Sequence, residues 1–305
     1  MKKVLKGIGT VATLLSLVLI IFEIKKLNLD SSIFSGGKLG IFLGFTVLYT
    51  GLVIILGIPW GMYVKNITGK KVPVTKLNLV FTRSNLMKYI PGNVFQYVGR
   101  NEIAVDYELN HKDVVCATIM DVISLSFSGF LVAVFFSFED IVFYLSQYIS
   151  KLAIILLIVL ALVLFVLFLL VLKKIEYFTF LFEKRMLLTL CKGIGILLVF
   201  HLCSAGMFCI TLSEVIGVEL QGLNFSQIIG AWCVGYLAGY VIPGSPGGLG
   251  VREVTISVLL YNVIDVPVVA LGTVFMRVAN IIGEVAAFLV TLFMNKIANR
   301  RGCEG

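Results

Sequence analysis

Six stretches of this chain, at roughly 7–24, 39–64, 114–137, 152–172, 190–213 and 267–294, run almost free of charge for the length of a bilayer crossing. A helix needs about 20 such residues to span the hydrocarbon, and inside it every backbone N–H and C=O must be satisfied within the segment. Six such runs in 305 residues predict an all-α, polytopic helical membrane protein with a single integral membrane domain over 1–305. Composition supports this: 59% of residues are hydrophobic and 14% charged, against about 45–50% and 25% in soluble domains. A disordered chain, a coiled coil, a disulfide scaffold and most soluble enzymes are excluded.

The basic residues report topology. Lys and Arg total 19 over 1–6, 65–113, 173–192 and 295–305, and 5 over 23–38, 137–151, 213–224 and 244–266. The positive-inside rule then puts both termini in the cytoplasm of a multi-pass protein of the cell (plasma) membrane. Met1-Lys2-Lys3 ahead of the first run, with no small-x-small cleavage pattern after it, reads as the start of an uncleaved first helix. The net charge of +8 is absorbed by topology, and no nucleic-acid partner is expected. The six cysteines form no C-x-x-C pair and His111 and His201 stand alone, so neither a metal nor a cofactor is expected. His201 reads as a hydrogen-bonded core histidine.

Two further apolar segments are interrupted. One covers about 74–98 and carries Arg83, Lys88 and Pro91-Gly92; the other begins near Phe225, meets Pro243-Gly244 and continues to about Ile264. Their motifs correspond. Tyr89-Ile90-Pro91-Gly92 leads to Arg100 and Glu102, and Val241-Ile242-Pro243-Gly244 leads to Arg252 and Glu253. Pro91 to Pro243 and Arg100 to Arg252 are both 152 positions, half the chain. The same offset carries 39–64 onto 191–216 and 114–137 onto 266–289. The expected architecture is therefore two repeats, 1–150 and 151–305, each with three full transmembrane helices and one Pro/Gly-broken re-entrant element. The first half begins inside and ends outside, so the repeats are inverted. Matching broken segments in inverted halves point to a transporter's binding site. Pro lacks an N–H and Gly loosens the backbone, so the helix unwinds there. Gly40-x-x-x-Gly44, Gly57-x-x-x-Gly61 and Gly235-x-x-x-Gly239 fit close helix packing.

Arg100 and Arg252 are the first candidates for an anionic head group, because a guanidinium presents a planar fork of donors to phosphate. Glu102 and Glu253 either hold these arginines or carry protons, and local salt bridges account for them equally well. Within the spans lie Asp121, Arg277 and Glu284. Charged residues there are costly and are expected to face the bundle interior. Arg277 and Glu284 are two turns apart on one face. The offset places Asp121 one turn from Arg277, which suggests that those two pair.

The Pro-Gly…Gly-Arg-x-Glu segment and the Pro-Gly-Gly-Leu-Gly-Val-Arg-Glu segment, in a chain of about 300 residues, resemble the lysylphosphatidylglycerol synthase transmembrane region, a flippase-like integral membrane family. The resemblance covers essentially the whole chain. It implies translocation (flipping) of an anionic phospholipid or polyprenyl-linked glycan across the membrane, with the head group bound between the two broken elements. The implied site residues are Pro91, Gly92, Arg100, Glu102, Pro243, Gly244, Gly247, Gly248, Gly250, Arg252 and Glu253. In the bifunctional synthases a soluble domain performs aminoacyl transfer. A stand-alone chain lacking it is expected here, so lysyl-lipid synthesis is not implied. The implied partners are a membrane lipid or lipid-linked glycan and a separate transferase.

Transport is favoured over catalysis, since no D-x-D, His-rich phosphatase or Gly-x-Ser-x-Gly signature occurs. The alternative is a membrane enzyme or accessory subunit in envelope lipid or surface polysaccharide synthesis.

Overall fold

The computed structural model describes residues 36–90, 94–146, 183–220, 222–242, 246–248 and 250–300. The expected helices at 7–24 and 152–172 lie outside the described residues, as do Pro91, Gly92, Pro243 and Gly244.

The described chain is helical, with no strand among its residues. In chain order the helices are α1 (Gly37–Thr68), α2 (Val74–Leu86), α3 (Phe95–Arg100), α4 (Glu102–Asp106), α5 (His111–Ser146), α6 (Lys184–Ile210), α7 (Gly222–Val241), α8 (Val251–Leu260) and α9 (Val266–Arg300). A π-helical turn, Thr211–Ile216, extends α6, and 3₁₀ turns lie at Met87–Tyr89 and Pro246–Gly248. Four helical stretches are long and apolar enough to cross a membrane: α1, His111–Phe138 of α5, α6 with its π turn, and α9. They coincide with the four described runs expected from hydropathy.

Local signals set the ends. Asn110 begins α5, its side-chain oxygen accepting the Lys112 amide at 3.0 Å, in the manner of an N-cap. Gly69 stops α1 in the left-handed region at φ 65, donating its N–H to Lys65 O. Hydroxyls within the spans bond back to the carbonyl four residues earlier, as Thr46 does to Phe42 and Thr118 to Val114. This satisfies them without water.

The burial pattern is inside-out relative to a soluble protein. Leu43, Val47, Phe130, Phe135, Leu289 and Phe293 are exposed, whereas Arg100, Asp121, Arg277 and Glu284 are buried. Such a surface suits hydrocarbon, and the charges face the interior as expected. Helix α1 is central, packing on α5, α6 and α9; α5 packs on α7, and α8 on α7 and α9. Interhelical hydrogen bonds add to the packing: Trp60 Nε1 to Thr118 (3.1 Å), Tyr63 OH to Ser124 (3.0 Å), Trp232 Nε1 to Ser204 (3.1 Å), and Thr82 with Thr291 (2.7 Å).

The small-residue motifs divide. A Cβ on Gly57 would meet Phe81 and Asn78 at 3.1–3.2 Å, and one on Gly61 would meet Leu77 at 3.4 Å. These glycines let α2 nest against α1. Gly235 and Gly239 bring α7 against Ile256 and Gly248. Gly40 and Gly44 have no such neighbour among the described residues. His201 is a core histidine: it is buried, with Nε2 3.2 Å from Leu125 O.

Candidate functional site

The two interruptions meet. On the first, α2 gives way to the Met87–Tyr89 turn and Ile90 turns extended (φ −73, ψ 130). On the second, the Pro246–Gly248 turn follows α7, with Gly247 at φ 57 and Gly248 at φ 75. L-residues with a side chain rarely adopt those angles. Gly248 also lies backbone to backbone against Gly239 of α7, where a Cβ would come within 2.8 Å of the Gly239 Cα. The turns then touch through Tyr89, whose ring sits against Gly247.

Helix α9 fastens both interruptions. Arg277 donates through Nη1 to Glu253 Oε1 (2.9 Å) and through Nη2 to the Gly247 carbonyl (3.1 Å). Two turns along α9, Glu284 accepts from Lys88 Nζ at 2.5 Å, from Tyr89 OH at 3.1 Å and from Tyr49 OH at 3.5 Å. Arg277 thus holds the second interruption and Glu284 the first. The seven-residue spacing corresponds to about 10 Å along the helix.

The expected charge partners are rearranged. Asp121 pairs with Arg100 (Nη1 to Oδ2, 2.6 Å) and not with Arg277, which is taken by Glu253 and Gly247. Arg100 and Asp121 are each 3% exposed, and the guanidinium lies 4.4 Å from the Phe81 ring centroid and 5.8 Å from those of Trp60 and Tyr97. Glu102 does not hold Arg100; it accepts from Arg83 at 2.9 Å through both oxygens. Glu253 likewise serves Arg277 and not Arg252. The reason is direction along each helix: neighbours in sequence, such as Arg252 and Glu253, point about 100° apart on a 3.6-residue helix and face different partners.

Arg252 has no carboxylate partner among the described residues. Its guanidinium lies 4.6 Å from the Tyr236 ring and 5.9 Å from Trp232, and its Nε is buried without a hydrogen bond. It lines a small polar cavity together with Lys88, Asn85, Gln96, Tyr236 and Tyr240. The cavity is about 30 Å³, room for a water or two and no more. Around it, three cations (Lys88, Arg252, Arg277) face two carboxylates (Glu253, Glu284), an excess of one positive charge.

Of the residues singled out from sequence, Gly247 and Arg252 border this cavity. Gly248, Glu253, Arg277 and Glu284 support its walls. Gly250, at φ 77, is exposed at the start of α8. Arg100, Asp121 and Glu102 form separate pairs beside it. Lys88, Tyr89, Tyr236 and Tyr240 were not singled out as site residues. Lys88 carried the one available signal, a lysine three residues before the Pro-Gly break in an apolar segment.

No family model matches the chain, and no curated protein is detectably similar to it.

Proposed function

We propose that this protein moves an anionic phospholipid or a polyprenyl-linked glycan between membrane leaflets, with the charged head group passing through the cavity between the two interruptions. The observation that carries this reading is the unpaired positive charge of Arg252 in a polar cavity enclosed by an apolar bundle. Arg252 is half-buried, with its Nε buried and without a hydrogen bond; a charge without a partner inside a membrane bundle is costly, and an anionic head group supplies the partner. With about 30 Å³ free, the arrangement corresponds to an occluded state, and admission of a head group requires the interruptions to part.

The reading includes two inverted repeats, each with a re-entrant element. Matched bounds support it. Shifted by 152, α1 covers 189–220 against Lys184–Ile216, α2 covers 226–238 against Gly222–Val241, and α5 covers 263–298 against Val266–Arg300. Arg100 and Arg252 exchange under this shift, and each stacks on rings of the helix preceding its break, Phe81 on α2 and Trp232 with Tyr236 on α7. Each broken element also forms an ion pair with the long helix that follows, Arg100 with Asp121 on α5 and Glu253 with Arg277 on α9. The resemblance to the lysylphosphatidylglycerol synthase transmembrane region points to the same activity, in a plasma membrane with both termini cytoplasmic.

The test is reconstitution of the purified chain in liposomes carrying a fluorescent anionic phospholipid or a labelled polyprenyl phosphate. Arg252→Gln is expected to abolish leaflet exchange while the protein stays folded. Unchanged exchange overturns the assignment of Arg252. Chemical modification of the head group without exchange moves the protein to the enzyme class.

A further inference from the structure

Beside the polar cavity, a second and larger hollow opens on the outer surface of the bundle. It encloses about 440 Å³ between the first broken element and α5. Val115, Ile119 and Ile123 of α5 form one wall, and Tyr97, Val98 and Asn101 the other. The α5 residues recur every fourth position, which places them on one helix face. They are 46%, 54% and 61% exposed, and Val98 is 65% exposed. All belong to, or lie against, a stretch of α5 apolar enough to cross a membrane, so the hollow faces hydrocarbon.

Aromatic rings link the wall of this groove to the wall of the polar cavity. Tyr97 lines the groove, Tyr240 lines the cavity, and the two rings meet edge to face with centroids 6.4 Å apart. Tyr240 in turn stacks on Tyr236 (6.3 Å, 15°), which carries Arg252 at 4.6 Å. An apolar groove open to lipid and a cationic cavity therefore share a wall of tyrosines. That juxtaposition matches an amphiphile.

We propose that the groove seats one hydrocarbon chain of a membrane lipid, and that Tyr97 and Tyr240 form the partition its anionic head group passes to reach Lys88 and Arg252. This rests on the transport reading above and adds to it a lateral route from one leaflet. The dimensions favour a chain over a partner helix. Val115 to Ile123 spans about 12 Å along α5, which fits within one leaflet of a hydrocarbon core about 30 Å thick. A transmembrane partner would need contact along most of that thickness. The Asn101 side-chain oxygen, buried without a partner, sits at the groove's edge.

The experiment uses the full chain in lipid nanodiscs doped with phosphatidylglycerol or phosphatidylcholine carrying a diazirine near the end of one acyl chain. After illumination, adducts are mapped by mass spectrometry. Adducts are expected at 97–98 and 115–123 at least about fivefold above 127–135 of the same helix, where Phe130 and Phe135 are 55% and 78% exposed. Ile119→Trp and Val98→Trp, both at exposed positions, are expected to remove that enrichment and slow leaflet exchange without lowering the unfolding temperature. Uniform labelling along the outer face of α5 overturns the groove, whatever the transport result. Enrichment that is equal for both head groups and unchanged in Arg252→Gln leaves the chain site standing and removes the head-group reading. Arg252-dependent exchange with uniform labelling does the reverse.

Discussion

Replacing Asp121 with alanine removes the carboxylate 2.6 Å from Arg100 Nη1 and leaves a guanidinium that is 3% exposed. The pair makes a single contact, since Arg100 Nε and Asp121 Oδ1 have no partner. Its net worth is therefore modest, because two desolvated ions offset most of their own attraction. Truncating one partner is a different matter and costs about 3–5 kcal/mol, as the surviving charge stays buried. The rings of Phe81, Trp60 and Tyr97 remain around the cation and favour the lower end of that range. Asp121→Asn keeps an acceptor and loses only the charge assistance, about 1.5–3 kcal/mol. The double variant Arg100→Met/Asp121→Leu removes both charges and fills the space with apolar atoms, so it is expected within about 1 kcal/mol of the parent. Denaturant titration in micelles, followed by tryptophan fluorescence, measures all three. The chain has two tryptophans, and Trp60 adjoins Arg100. Charge reversal sharpens the result. Arg100→Asp/Asp121→Arg should recover part of the loss, whereas Asp121→Arg/Arg277→Asp should not, because Arg277 is held by Glu253. Single variants within about 0.5 kcal/mol of the parent, or additive losses in the double variant, would refute the pairing.

Gly248→Ala is expected to cost at least about 2 kcal/mol, from a left-handed φ of 75 and a Cβ 2.8 Å from the Gly239 Cα; a thermal shift of several degrees in detergent checks it. Gly57→Ala, facing Phe81 at 3.2 Å, is expected to destabilise by about 1–3 kcal/mol, while Gly40→Ala, with no neighbour within 4 Å among the described residues, is expected to be neutral or slightly stabilising. Unfolding midpoints of the two variants make the comparison. Glu284→Gln strips the carboxylate from Lys88 and Tyr89, and about 2 kcal/mol is expected because Lys88 remains 20% exposed; faster amide exchange over 87–90 reports it.

The helices were legible because a bilayer leaves few options. The described spans fall within about six residues of their hydropathy limits, and the described turns Met87–Tyr89 and Pro246–Gly248 flank the Pro-Gly motifs in sequence. The turns at Met87–Tyr89 and Pro246–Gly248 do meet, through Tyr89 and Gly247. Charge pairing was not legible. Asp121 was placed near Arg277 by the 152-residue offset, but that offset relates equivalent positions and does not say which positions touch. Lys88 was hidden by its surroundings, where one lysine near a turn resembles an interfacial anchor. The Tyr97–Tyr240 wall was hidden more deeply, since its residues come from opposite halves and carry no pattern of their own.

The offset has a stricter consequence for the charges. In the first half the broken element contributes the cation, Arg100, and the following helix the anion, Asp121; in the second half the senses are exchanged, with Glu253 on the element and Arg277 on the helix. Position 273, the counterpart of Asp121, is Thr273, and position 125, the counterpart of Arg277, is Leu125. Each ion pair therefore ties a short element to the long helix after it, and the residues used do not correspond at 152 positions. The difference falls on the arginines. Pairing on the element neutralises Arg100 inside the first half, whereas Glu253 is spent on α9 and leaves Arg252 to the cavity. The field around the two elements is thus asymmetric, with the excess charge at the cavity that Arg252 lines. Moving α9 relative to the bundle must strain its bonds to Glu253, Gly247, Lys88 or Tyr89, so neither interruption can shift against that helix without breaking a polar contact that is at least partly buried.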